Sequence, residues 1–176
     1  MGHLRTTLAE AELQGNSDEE VEAPHPSLKT MIEWPKFGEY AGLTISVVYT
    51  AWNAECVSRI VQGCEDVLTN AKCHIVRTEV PDALDLVAGA QAAKDKHKPD
   101  AIICVGIFVQ GSTESSNDRF QATVAALQSM NASGSGPIIC GVLSCKTDEQ
   151  AQERSQQRLG GEWAKSALQM VNVSSR

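Results

Sequence analysis

The stretch from Leu43 to Val80, LTISVVYTAWNAECVSRIVQGCEDVLTNAKCHIVRTEV, decides the fold. It opens on an apolar run, Leu43–Tyr49, short and β-branched enough to be a buried strand. A second such run, His74–Val80, closes it. Between them Val57, Ile60, Val61, Cys64, Val67, Leu68 and Ala71 recur at three- and four-residue steps, which puts one apolar stripe along a helix. Strand, helix and strand in that order are a βαβ unit, and its two strands lie parallel.

The pattern continues outward. Further strand-like runs stand at Ala101–Ile107 and Pro137–Leu143, each followed by a helical pattern. After the second run, Asp82 is placed as an N-cap with Asp85 in the first turn, and the segment ends in cations that suit a helix C-terminus. After the third, Phe120, Val124, Leu127 and Met130 share a face. After the fourth, Thr147 and Gln150 have the spacing of a capping box, and a last helix is expected to carry Trp163, Ala167, Met170 and Val171 inward. NASGSG, Asn131 to Gly136, supplies the turn before the last strand. The expected architecture is an α/β fold: a three-layer α/β/α sandwich on a four-stranded parallel sheet, flavodoxin-like, with ligands gathering at the strand C-terminal ends.

Residues 1–37 differ from the rest. GNSDEEVEAPHPS is acidic, holds two prolines and shows no apolar period, so 1–37 is expected to be a mobile tail and 38–176 the folded domain. The opening MGHLRT matches the short Gly2 and Thr6 pattern of N-myristoylation, which recurs by chance. The net charge of −7 repels a phosphate backbone, so nucleic acid is not an expected partner. No apolar run approaches membrane-span length, and no signal-peptide core precedes the domain. Six cysteines, Cys56, Cys64, Cys73, Cys104, Cys140 and Cys145, stand singly with no C-x-x-C pair, which fits reduced core thiols and a cytoplasmic location.

The predicted strand ends read YTAWNAE, EVPDALDL, VGIFVQGST and CGVLSCKTDEQAQER. In this order and spacing, from about Leu43 to Val171, the chain resembles the lumazine synthase family, most closely its fungal form. That form has an aromatic–Asn pair like Trp52-Asn53, a KGST-like turn, an LLTCMTEEQA-like segment and a GEDW that is GGEW here, Gly160 to Trp163. The resemblance implies condensation of 5-amino-6-ribitylaminouracil with 3,4-dihydroxy-2-butanone 4-phosphate, with no cofactor and no metal. It also implies a site between neighbouring subunits of a homopentamer.

Each candidate residue has a chemical reason and a plainer alternative. Trp52 is suited to stack on a flat pyrimidinedione, or it is a core tryptophan closing the sheet. Gly111, Ser112 and Thr113 turn sharply ahead of a helix, where N–H groups and hydroxyls converge on an anion; small residues at a turn are also common. Arg154 stands where the family carries its phosphate-binding arginine, or it is one solvated charge among Glu153 and Arg158. Asp85 matches the family's glutamate near the ribityl chain, or it is an acid in a helix's first turn. Asn53, Ala83 and Cys140 complete the substrate-binding set implied by the resemblance, and Ser115 and Arg154 form the catalytic one.

The departures lie in the same places. The family histidine that moves protons, and the aromatic residue after it, are Ser115 and Ser116 here. Gly-small-aromatic-Glu has become Asp82-Ala83-Leu84-Asp85, and a family phenylalanine is Cys140. The segment from Arg154 to Gly160 is shortened and carries no lysine. Three readings follow: a slow enzyme, a pseudoenzyme kept as an assembling subunit, or a module that binds a ribityl-flavin-like ring without turnover.

Overall fold

The structure is a computed structural model, and it describes residues 39–110, 115–134 and 136–174. The expected tail of residues 1–37 therefore lies outside the described residues. Four strands form one sheet: β1 (Thr44–Thr50), β2 (His74–Val80), β3 (Ala101–Val109) and β4 (Ile138–Cys145). Their order is β2-β1-β3-β4, and every neighbouring pair is parallel. The helices are α1 (Ala54–Asn70), α2 (Leu86–His97), α3 (Ser115–Ala132), α4 (Asp148–Ser155) and α5 (Leu159–Ser174).

Alternation along the strands builds two cores. Ile45, Val47, Ile103, Val105, Ile107 and Leu143 face α1, α4 and α5, together with Val57, Ile60, Cys64, Leu68, Ala151 and Leu168. Val48, Ile102, Cys104, Phe108 and Val142 face α2 and α3, together with Leu86, Ala90 and Leu127. Each fully buried Leu, Ile or Val is worth about 1.5–3 kcal/mol relative to exposure. β3, covered on both faces, is buried from Ala101 through Phe108, whereas the edge strand β2 is exposed or half-buried until its last residue, the buried Val80. That contrast is what a central and an edge strand of a parallel sheet require. The expected three-layer α/β/α sandwich is the observed fold.

Two glycines set the helix packing on the first face. A Cβ on Gly160 would lie 1.9 Å from the Ile60 carbonyl oxygen, so α5 touches the backbone of α1. A Cβ on Gly141 would lie 2.5 Å from the Trp163 ring, so that tryptophan lies directly on β4. The GGEW segment is thus a packing element. Tyr40 is buried against this core and its hydroxyl accepts a 2.8 Å bond from Asn172 of α5. On the other face, Phe108 and Phe120 meet edge to face at 5.9 Å and tie α3 to β3.

Several local expectations need correction. Met170 is 36% exposed and faces outward, because α5 turns Ala164, Ala167, Leu168 and Val171 to the core instead. Asp82 caps a short 3-10 turn, Ala83–Asp85, and not α2 itself; Asp82 and Asp85 form a reciprocal capping box there. Thr147 caps α4 by accepting from the Gln150 N–H at 3.2 Å, but the Gln150 carboxamide reaches past the cap to the Lys146 N–H at 2.6 Å. Three of the four strands, β1, β3 and β4, extend one or two residues further toward their C-terminal ends than expected, because each added residue still finds a ladder partner, whereas β2 has the expected bounds.

Candidate functional site

The chain leaves β1 toward β2 on one side and returns to β3 on the other. α1 then packs on one face and α3 on the opposite face, which puts the topological switch point, where folds of this kind place their ligand crevice, beyond the carboxyl ends of β1 and β3. Loops after all four strands border that end of the sheet.

The β1 loop is the most sharply defined. Thr50, 2% exposed, donates its hydroxyl to the Trp52 carbonyl at 3.1 Å, and the Ala51 N–H is held by the Val80 carbonyl at 2.8 Å. The chain then turns through Asn53, which is left-handed at φ 56° and ψ 40°. Its carbonyl starts α1 by accepting from the Val57 N–H at 3.0 Å, but its side chain caps nothing. Asn53 Nδ2 is buried without a hydrogen-bond partner. Among the described residues the Ser46 hydroxyl, inside β1, is the other such buried polar group, and Asn53 differs from it in standing at a loop in a left-handed conformation that asparagine tolerates and most residues avoid. Beside it Trp52 stands 67% exposed, which rules out its reading as a core tryptophan.

The β2 loop is closed on itself. Asp82 Oδ1 accepts from the Ala83 N–H at 2.5 Å, and Asp85 Oδ2 accepts from the Asp82 N–H at 3.1 Å. Asp82 Oδ2 accepts from Arg119 of α3 at 3.2 Å. Ala83 points its methyl into the core near Gly106, while Leu84 and Asp85 face solvent. Both acids therefore have structural duties at this turn.

At the β3–β4 corner, the Gln110 N–H is held by the Cys145 carbonyl at 2.7 Å and its carboxamide donates to Ser144 Oγ at 3.3 Å. Arg154 of α4 donates from Nη1 to the Ser144 carbonyl at 3.2 Å and also bonds the Cys145 thiol. Burial pushes that thiol up, and the guanidinium opposes the shift. Arg154 and Gln110, the first residue of the QGST turn, are thus gathered at one corner. The turn residues Gly111, Ser112, Thr113 and Glu114 lie outside the described residues, as does the side chain of Ser115, the first residue of α3. Ser116 turns its hydroxyl back to the Val109 carbonyl at 3.2 Å.

Cys140 stands apart from these loops. It lies mid-strand, paired in register with Cys104, on the face covered by α2 and α3. A single subunit does not bring it to the crevice. A surface dent lined by Lys94, Asp95, Lys98 and Pro99 sits at the opposite end of the sheet and holds none of the candidate residues. Among the described residues no group of three or more His, Cys, Asp or Glu side chains is placed to hold a metal, and no helix is long and apolar enough to cross a membrane.

The fold is a doubly wound parallel α/β domain, a class in which ligands commonly gather at the topological switch point, and an exposed aromatic, an orphaned amide and a partly engaged arginine stand around that edge here. Comparison with known proteins narrows the class. Residues 42–175 match the model of the 6,7-dimethyl-8-ribityllumazine synthase family, and the chain belongs to that family. The 6,7-dimethyl-8-ribityllumazine synthase of Cytophaga hutchinsonii is 31% identical over 130 residues, covering 72% of this chain and 82% of that relative. The enzyme of that name from Schizosaccharomyces pombe is 28% identical, covering 73% and 86%. Among solved structures, a short-chain flavodoxin associated with a bacterial microcompartment aligns with a TM-score of 0.43 and 14% identity, covering 73% of this chain and 99% of that one.

Sequence reasoning missed the groups that hold the site together. Arg59, Gln152 and Ser144 carried no motif, because their partners are either backbone atoms or residues up to 96 positions away.

Proposed function

We propose that the chain makes 6,7-dimethyl-8-ribityllumazine for riboflavin biosynthesis, by condensing 5-amino-6-ribitylaminouracil with 3,4-dihydroxy-2-butanone 4-phosphate. The observation that carries the reading is the Trp52-Asn53 pair. A large aromatic left 67% exposed at a strand carboxyl end, next to an amide with no partner, suits a flat ring edged by hydrogen-bond acceptors. Arg154 suits the phosphate: it donates from Nη1 to the Ser144 carbonyl and bonds the Cys145 thiol, and the five N–H donors of a guanidinium leave others for an anion oxygen. The QGST turn, Gly111, Ser112 and Thr113, adds N–H groups and hydroxyls to the same anion.

The chemistry needs few protein groups. The 5-amino nitrogen of the pyrimidine attacks the ketone carbon, water leaves to give an imine, phosphate is eliminated, and the ribitylamino nitrogen closes the ring with loss of a second water. Neither a metal nor a cofactor takes part. Ser115 replaces the histidine that moves protons in the family, and such a group typically contributes about 10²–10⁴ in rate. The departing phosphate accepts a proton itself, so the reaction is expected to be slow but not silent.

The site is completed by a neighbouring subunit in a homopentamer on this reading. Cys140, remote from the crevice of its own subunit, then belongs to the crevice next door, and the exposed Leu84 and the edge of β2 fall at contacts. Isothermal calorimetry with the ribitylaminouracil alone tests the ring site: saturable binding that weakens in Trp52→Ala supports it, and no heat above dilution contradicts it. Light scattering tests the assembly, a monomer near 18.9 kDa being the result against it.

A further inference from the structure

α4 carries Arg154 yet has little to anchor it. In its eight residues, DEQAQERS, only Ala151 and Ser155 are buried, at 1% and 3% exposed, and neither side chain is large enough to fix the rotation of a helix. A short helix so weakly buried would slide and roll unless polar contacts set its register. Arg59 of α1 supplies those contacts. Its Nη1 donates to Gln152 Oε1 at 2.7 Å and to Ser155 Oγ at 3.3 Å, and its Nη2 bonds Glu55 one turn back on its own helix. Ser155 in turn donates to the Gln152 carbonyl at 2.8 Å.

We propose that Arg59 is a positioning residue for Arg154: through Gln152 and Ser155 it fixes the rotation of α4, so that the Arg154 guanidinium rests on the Ser144 carbonyl and its remaining N–H donors can serve an anion. Gln152 and Ser155 flank Arg154 in sequence on both sides. With Arg59 gripping the two, the direction in which the Arg154 side chain leaves the helix is set. Glu55 holds the guanidinium of Arg59 from behind, which pre-aims the fork. Lysine at this position would keep the charge but has a single ammonium in place of a planar fork, so it serves one acceptor well and not both.

The anion role of Arg154 comes from the function proposed above, and the test separates the two claims. Phosphate titrations use inorganic phosphate and the full chain as wild type, R59A, R59K, R154A and R59A/R154A, each first shown to be folded by circular dichroism. In parallel, ¹⁵N relaxation of the Arg154 Nε–H reports whether that side chain is held, with no ligand present. The expected results are ordered Nε motion in wild type and averaged motion in R59A, phosphate affinity down about three- to tenfold in R59A, and part of it recovered in R59K. The double variant binds no more weakly than R154A, because Arg59 acts only through Arg154. An Arg154 Nε–H equally ordered in R59A overturns the positioning claim whatever phosphate does. An R154A that binds phosphate like wild type overturns the anion role, leaving the relaxation comparison to decide whether Arg59 positions the side chain. If R59A does not fold, Gln152→Ala removes the stronger contact from the other side, and unchanged Nε order there overturns the claim.

Discussion

Arg154 Nη1 and the Ser144 carbonyl oxygen are 3.2 Å apart, and this bond lays the one arginine of α4 across the end of β4. The arginine is held but not consumed. Substituting Arg154 with Ala is therefore expected to weaken inorganic phosphate or the butanone phosphate by roughly 1.5–3 kcal/mol, the range for a hydrogen bond to a charged group. Calorimetry measures it. An unchanged affinity would make Arg154 a surface charge with a structural bond and nothing more.

Trp52 separates binding from folding. Because the ring is exposed, Trp52→Ala should change unfolding free energy by no more than about 0.5 kcal/mol. Ring binding should fall by roughly 0.5–1.5 kcal/mol through lost stacking. A large loss of stability with ligand affinity intact would return Trp52 to a packing role.

Gly160 makes the opposite prediction. An alanine there drives its Cβ into the Ile60 carbonyl, and two helix backbones cannot yield as a flexible side chain does. Gly160→Ala should cost about 1–3 kcal/mol in urea unfolding. A change within 0.5 kcal/mol, roughly the scatter of surface substitutions, would mean that α5 is free to move away from α1.

The architecture was readable because each strand and helix had its own period. The α1 stripe from Val57 to Ala71 and the unbroken apolar run of β3 each admit one placement, and both are where the sequence puts them. The site was readable only in part. Trp52 is singled out by its place after a strand and Arg154 through the family resemblance, but the unpaired amide of Asn53 depends on a left-handed turn that no local pattern encodes. Arg59 and Gln152 meet through tertiary packing alone, 93 residues apart. The error at Met170 has the same origin: helical spacing fixes a face to within one position, and the contact of α5 with α1 through Gly160 decides which side of that face is buried. Cys140 is legible as a site residue only if a second subunit is supplied.

Stability should fall at alkaline pH. Burial pushes the Cys64 thiol up to about 12 from an ordinary 9.0, with Glu65 adding to the shift, and burial also pushes Cys104 up. A thiol that stays neutral in the folded chain but ionises in the unfolded one favours unfolding as pH rises. The contribution of these thiols is fully present below the unfolded value near 9.0 and is lost as pH climbs through the folded values. Urea midpoints between pH 8 and pH 11 should decline, and Cys64→Ala should flatten part of that decline after its own packing loss is subtracted. An equally steep decline in that variant would place the alkaline sensitivity elsewhere.

Turnover tests the central claim most directly. Purified protein is mixed with both substrates, and lumazine formation is followed by absorbance against the uncatalysed reaction, with Ser115→His run beside it. The wild type should show a rate above background, abolished or strongly reduced by Arg154→Ala, and Ser115→His a faster rate at nearly unchanged phosphate affinity, since a group titrating near neutrality is restored. A wild-type rate equal to background, with no gain in Ser115→His, would contradict it and leave an assembling subunit that does no chemistry.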